Sequence, residues 1–109
     1  MEPVSVSVSG YAGRALGVAL AGEIDFSNAD AVLATIHGEM NARRPPSVRV
    51  DLAAVTFLDS SGIGVLVDVM KLAHATHARF RVEHPSPAVR DQLRIAGLLD
   101  AFGLGRPGA

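Results

Sequence analysis

The stretch Val50-Asp51-Leu52-Ala53-Ala54-Val55-Thr56-Phe57-Leu58-Asp59-Ser60-Ser61-Gly62-Ile63-Gly64-Val65-Leu66 passes from strand to helix at Asp59. Residues 47–52 (Ser-Val-Arg-Val-Asp-Leu) read as a strand, and residues 55–58 approach the next element. From Ser60 to about Thr76 the spacing predicts a helix. Asp59 is its expected N-cap, because a carboxylate accepts from the free N–H groups of a first turn. Ile63, Leu66, Val67 and Met70 form one apolar stripe, the face expected against a sheet.

The same spacing separates the two serines. Ser60 heads the most polar line of the helix, through Gly64, Asp68 and Lys71. Ser61 heads a third line through Val65, Val69 and Leu72, either half-buried or part of a partner surface. Ser60 is therefore expected to be the more exposed. Gly62 and Gly64 each cost a helix about 1 kcal/mol relative to Ala. Small residues there would let another molecule approach Ser60 closely. The helix start also tolerates an anion, so a phosphoryl group on Ser60, adding about −1.5 to −2 charge, is compatible with the helix. On residue chemistry alone, Asp-Ser-Ser-Gly before a helix also reads as plain capping.

Working outward, residues 4–9 alternate Val and Ser strictly, the pattern of a strand with one buried face. Residues 10–13 read as a turn and residues 16–20 as the second strand of a hairpin. Gly22, Glu23, Ile24 and Asp25 read as a loop. Ser27 is the expected cap of a helix that lines up Ala29, Val32, Leu33, Ile36 and Met40 and stops before Pro45-Pro46. Residues 80–82 read as a strand. Ser86 and Pro87 open a short helix with Val89, Leu93 and Ala96 on its inner face, and Gly97 is its expected left-handed end. The order β-β-α-β-α-β-α predicts an α/β domain: a single mixed sheet of four to five strands with helices packed on it. One domain over residues 1–109 is expected, with its core in about 4–102 and a flexible tail over 103–109.

The composition fits that domain. Of 109 residues, 49% are apolar and 19% charged, enough to bury a core and too little charge for a disordered chain. The net charge of −1 leaves no basic footprint for nucleic acid. No cysteine is present, so there is no disulfide or thiolate chemistry. No signal-peptide layout or membrane-length apolar run is seen, and a cytoplasmic protein without membrane contact is expected.

The stretch quoted first resembles the signature of bacterial anti-sigma-factor antagonists of the STAS family. Leu20-Ala21-Gly22-Glu23-Ile24-Asp25 resembles that family's second strand and acidic loop. Ser86-Pro87-Ala88-Val89-Arg90 and Ile95-Ala96-Gly97-Leu98 resemble its last helix and the ending of that helix. The resemblance implies a STAS fold and partner switching. The unphosphorylated antagonist binds an anti-sigma factor that is also a serine kinase, and a sigma factor is freed. The kinase uses ATP to phosphorylate the serine after the motif aspartate, here Ser60, with Ser61 as runner-up. A metal-dependent phosphatase reverses the step. The implied partner surface comprises Glu23, Asp25, Asp59, Ser60, Ser61, Gly62 and Gly64. The antagonist itself needs no cofactor. Two departures bear on turn geometry and partner choice: Ala75-Thr76-His77-Ala78 replaces a Gly-rich turn, and the first helix carries little charge beyond Asp30 and Glu39.

Rival readings are weaker. A Ser-His-Asp hydrolase from Ser60, Asp59 and His37, His74, His77 or His84 lacks a Gly-x-Ser-x-Gly elbow, and its Asp and Ser are adjacent. His74 and His77 offer a metal two ligands without a third, and suit a helix end. Gly62-Ile63-Gly64 lacks the Gly-Lys-Ser/Thr of a phosphate loop. The remaining rival is a STAS scaffold that binds a protein or small ligand constitutively, without phosphorylation.

Overall fold

A computed structural model describes residues 4–10 and 15–105. The elements are β1 (Ser5–Gly10), β2 (Leu16–Ile24), α1 (Ala29–Arg43), β3 (Ser47–Leu58), α2 (Ser60–Ala75), β4 (Arg79–Glu83) and α3 (Pro87–Ile95). The order is the one read from the sequence. Of the expected turn at residues 10–13, Gly10 closes β1 and the rest lies outside the described residues.

The strands form one mixed sheet in the order β1-β2-β3-β4. β1 pairs antiparallel with β2, whereas β2–β3 and β3–β4 are parallel. Both parallel crossovers move the same way along the sheet. Right-handed connections therefore put α1 and α2 on one face, side by side. Leu16, Val18, Leu20, Ile24, Val48, Val50, Leu52 and Val82 point to that covered face and are buried with Val32, Ile36, Leu66 and Val69. Ser5, Ser7, Ala19, Arg49, Ala53, Arg79 and Arg81 are exposed on the other.

Two expectations about the strands change. Gly22, Glu23 and Ile24 are not loop but the end of β2, paired with Val55, Phe57 and Leu58. β3 is one strand rather than residues 47–52 plus an approach. The reason is a pair of register shifts. Ala19 and Ala21 pair with Asp51 and Ala54, and Gly22 and Glu23 pair with Val55 and Phe57, so β3 accommodates an extra residue at each step. Each bulge breaks the two-residue alternation from which a strand is recognised.

The helix faces shift as well. α2 buries Gly62, Val65, Leu66, Val69 and Ala73, while the expected core residues Ile63, Val67 and Met70 pack at its margin. The core stripe is thus rotated toward the line headed by Ser61. α1 buries Ala29, Val32, Ile36 and Met40 as expected, with Leu33 half-buried. In α3, Val89 and Leu93 are buried but Ala96 is exposed, because the helix ends at Ile95 and the chain turns at Gly97 with φ of 76°.

The chain after α3 packs back on the sheet. Phe102 is fully buried, packs edge-to-face on Phe80 at 5.6 Å, and its carbonyl accepts from Val82 N–H at 2.9 Å along the β4 edge. Leu104 N–H donates to Leu99 O at 2.7 Å, and Arg90 Nη2 donates to Leu104 O at 2.9 Å. Of the tail expected over 103–109, Gly103 and Leu104 are thus hydrogen-bonded to the fold, and residues 106–109 lie outside the described residues.

Candidate functional site

The C-terminal ends of β2 and β3 lie side by side, so the turns leaving them meet. Asp59 N–H donates to Ile24 O at 3.2 Å, which joins the Glu23–Asp25 segment to the start of α2. Asp59 is extended (φ −92°, ψ −172°), and its Oδ1 accepts from Ser61 N–H at 2.8 Å and Gly62 N–H at 3.1 Å. This is the cap read from the sequence. Asp59→Ala should lower stability by about 1 kcal/mol, the usual worth of such a cap. Urea unfolding measures it, and an unchanged midpoint would sink the assignment.

The serines differ as their spacing predicted. Ser60 is exposed and Ser61 half-buried. Neither hydroxyl has a side-chain hydrogen bond among the described residues. Ser60 is the first residue of α2, where the helix dipole favours negative charge, although Asp59 already takes the N–H groups of Ser61 and Gly62.

The two glycines, expected to clear ground for a partner, play separate parts. Gly62 is buried; a Cβ there would lie 2.6 Å from Leu58 Cδ1 and 2.9 Å from Ile24 O. Its smallness serves close packing of α2 on the strand ends, and it offers no surface to a partner. A Cβ at Gly64 would meet nothing within 4 Å, so this position has open ground beside it.

The loop between β2 and α1 is held by a residue the sequence reading passed over. Asn28, not Ser27, occupies the cap position, and its side chain makes no bond to the helix. Instead Asn28 Oδ1 accepts from Asp25 N–H at 3.0 Å and Nδ2 donates to Glu23 O at 2.9 Å. Ser27 turns back onto Asp25, whose Oδ1 accepts from both its N–H and its hydroxyl. The Ser27 hydroxyl, helped by its N–H, holds the Asp25 carboxyl below its usual range. Gln92 is a second residue without a sequence signal: its Nε2 donates to Leu58 O at 2.7 Å, tying α3 to the strand end one residue before Asp59.

Two aromatic side chains were also missed. Phe26 is 81% exposed and Phe57 45% exposed, in a chain with only four phenylalanines. Phe26 follows Asp25, and Phe57 pairs in register with Glu23 and precedes Leu58-Asp59. The strand ends that meet at Asp59 therefore carry the carboxylates of Glu23 and Asp25 and two exposed aromatic side chains, a composition suited to an anchored protein contact.

The family model for the STAS domain matches residues 11–107. The chain belongs to the STAS domain family. An anti-sigma F factor antagonist of Lysinibacillus sphaericus is 27% identical to it over 81 residues, covering 74% of this chain and 69% of the relative. An anti-sigma factor antagonist from Mycobacterium paratuberculosis superposes with a TM-score of 0.75 at 31% identity, covering 92% of this chain and 83% of that one. The anti-sigma factor antagonist SpoIIAA in its unphosphorylated form shares the fold with a TM-score of 0.76 at 23% identity, covering 86% of this chain and 82% of that one. The four-stranded mixed sheet with three helices is thus a STAS fold, with Asp59 and Ser60 at its strand-to-helix junction.

Proposed function

We propose that this STAS protein is an anti-sigma factor antagonist that works in the cytoplasm by partner switching. Unphosphorylated, it binds an anti-sigma factor that is also a serine kinase, and so frees a sigma factor. It acts by binding and not as a catalyst. The observation that carries this reading is the exposed Ser60 hydroxyl at the first position of α2, without a hydrogen-bond partner among the described residues, at the junction where Asp59 N–H bonds Ile24 O between Glu23 and Asp25.

Each part has a physical role. Phe26 and Phe57 offer apolar area, and Glu23 and Asp25 favour a basic counter-surface. Ser60 Oγ attacks the γ-phosphorus of ATP held by the kinase; the hydroxyl proton leaves, and the bond from that phosphorus to ADP breaks. The product places two further negative charges, or nearly so, on already acidic ground. A partner seated there then meets an unpaired charge and departs. A phosphatase restores the hydroxyl.

Incubation with the cognate kinase and ATP, read by intact-mass spectrometry, tests the site. Wild type should gain one phosphate and Ser60→Ala none. Modification of Ser60→Ala would move the site to Ser61. No gain in wild type would favour the constitutive scaffold.

A further inference from the structure

α1 and α2 lie side by side, and at their C-terminal ends, at the far end of α2 from Ser60, they leave an open cleft of about 260 Å³. Met40, Pro45 and Leu72 supply its apolar lining. His37, Asn41 and Arg44, spaced four and three residues apart on α1 and its cap, supply its polar side. None of these three side chains has a hydrogen-bond or ion-pair partner among the described residues. No carboxylate is among the described residues that line the cleft.

Arg44 is the telling residue. It ends α1 in the left-handed region (φ 44°, ψ 58°), with its N–H donating to Met40 O at 2.8 Å. Glycine or asparagine ordinarily fills that position, because a Cβ is strained there. Pro45 follows, and a residue before proline is further disfavoured in helical conformations. Capping alone would be served better by glycine, so arginine here carries a cost to stability. His77 and His84 are also left-handed, so what sets Arg44 apart is that its side chain lines the cleft without a partner among the described residues.

We propose that this cleft binds a small organic carboxylate, its hydrocarbon body against Met40, Pro45 and Leu72 and its carboxylate on Arg44, with Asn41 and His37 as further donors. Arginine pairs with carboxylates through two parallel N–H···O bonds. The cleft volume lies just below the ~300 Å³ at which drug-sized ligand pockets begin, so the ligand is small. The inference does not depend on the fate of Ser60.

The test is a titration of uniformly ¹⁵N-labelled full-length protein with sodium hexanoate, followed by amide chemical shifts. Saturable shifts should map to residues 37–45 and 72–76. Sodium acetate, which lacks the body, and 1-hexanol, which lacks the charge, should each bind at least about tenfold more weakly, as should hexanoate to Arg44→Gly. Because glycine relieves the left-handed strain, Arg44→Gly should also melt at a higher temperature, which secures its folding. Equal affinity of wild type and Arg44→Gly for hexanoate, equal binding of acetate, or the absence of saturable shifts in the cleft would overturn the proposal.

Discussion

Ser60→Asp should weaken binding of the cognate anti-sigma factor by about tenfold or more, equivalent to ~1.4 kcal/mol, while Ser60→Ala keeps wild-type affinity. Ser60 is exposed and its hydroxyl has no partner in the described fold, so losing the hydroxyl removes nothing from the free protein. Adding charge is different. Asp59 is the adjacent residue, and Asp25, whose carboxyl Ser27 holds below its usual range, lies in the segment bonded to it. A negative group at position 60 joins this acidic ground and must be desolvated when a partner docks. Removing one member of a buried ion pair costs roughly 3–5 kcal/mol, which sets the scale for an unpaired charge in a closed interface. Aspartate carries about half the charge of phosphate, so the enzymatically phosphorylated protein should lose more affinity than Ser60→Asp.

Folding should be indifferent to the same change. Position 60 opens α2, where negative charge is favoured by about 0.3–1 kcal/mol at a helix start. Repulsion from Asp59 works against that gain, and the thermal midpoint should move little. Calorimetry of wild type, Ser60→Ala and Ser60→Asp at two salt concentrations separates the contributions. Screening weakens long-range repulsion but not the cost of desolvation, so part of the loss should persist at high salt. Equal affinities for Ser60→Ala and Ser60→Asp, together with undiminished affinity of the phosphorylated protein, would refute a charge switch at this residue.

The sequence carried the element order, the Asp59 cap and the separation of the two serines, because each rests on local chemistry with a strong signature. Asp59 needs only the N–H groups of the next two or three residues, and the Ser60–Ser61 contrast follows from helical spacing. What was missed depends on neighbours distant in sequence. The full length of β2 was hidden because residues 22–24 are strand only by virtue of pairing with Val55, Phe57 and Leu58. β3 was hidden by two bulges that upset its alternation. Asn28 resembles a helix cap, yet spends its side chain on Asp25 N–H and Glu23 O. Gln92 reaches Leu58 O across 34 residues. The exposure of Phe26 and Phe57 is likewise a tertiary fact, since a lone phenylalanine in a sequence is by default a core residue. The same holds for α2, whose buried stripe was misplaced because its rotation is set where the helix first touches the sheet.

That contact is at Gly62, and it makes two nearby glycines respond oppositely to the same substitution. Gly62→Ala should destabilise the protein by about 2 kcal/mol, within the 1–3 kcal/mol typical of overpacking. The added methyl would sit 2.6 Å from Leu58 Cδ1 and 3.1 Å from Leu58 Cγ, and Leu58 is fully buried in the close-packed core. It would also sit 2.9 Å from the Ile24 carbonyl oxygen, which belongs to the backbone of β2. The start of α2 must therefore lift from the strand ends, against the ~1 kcal/mol that alanine gains over glycine as a helix former. Gly64→Ala makes that gain with nothing within 4 Å to oppose it, and should stabilise by about 0.5–1 kcal/mol. At roughly 5 °C per kcal/mol for a domain of this size, the two variants should melt well below and slightly above wild type. The separation extends to function. Lifting the helix start disturbs the Asp59 N–H bond to Ile24 O, and with it the seating of Ser60 beside the Glu23–Asp25 loop. Gly62→Ala should then slow phosphorylation of Ser60 at temperatures where the protein is still folded. Equal loss of stability at both glycines would show that their smallness serves the helix start in general rather than the contact with Ile24 and Leu58.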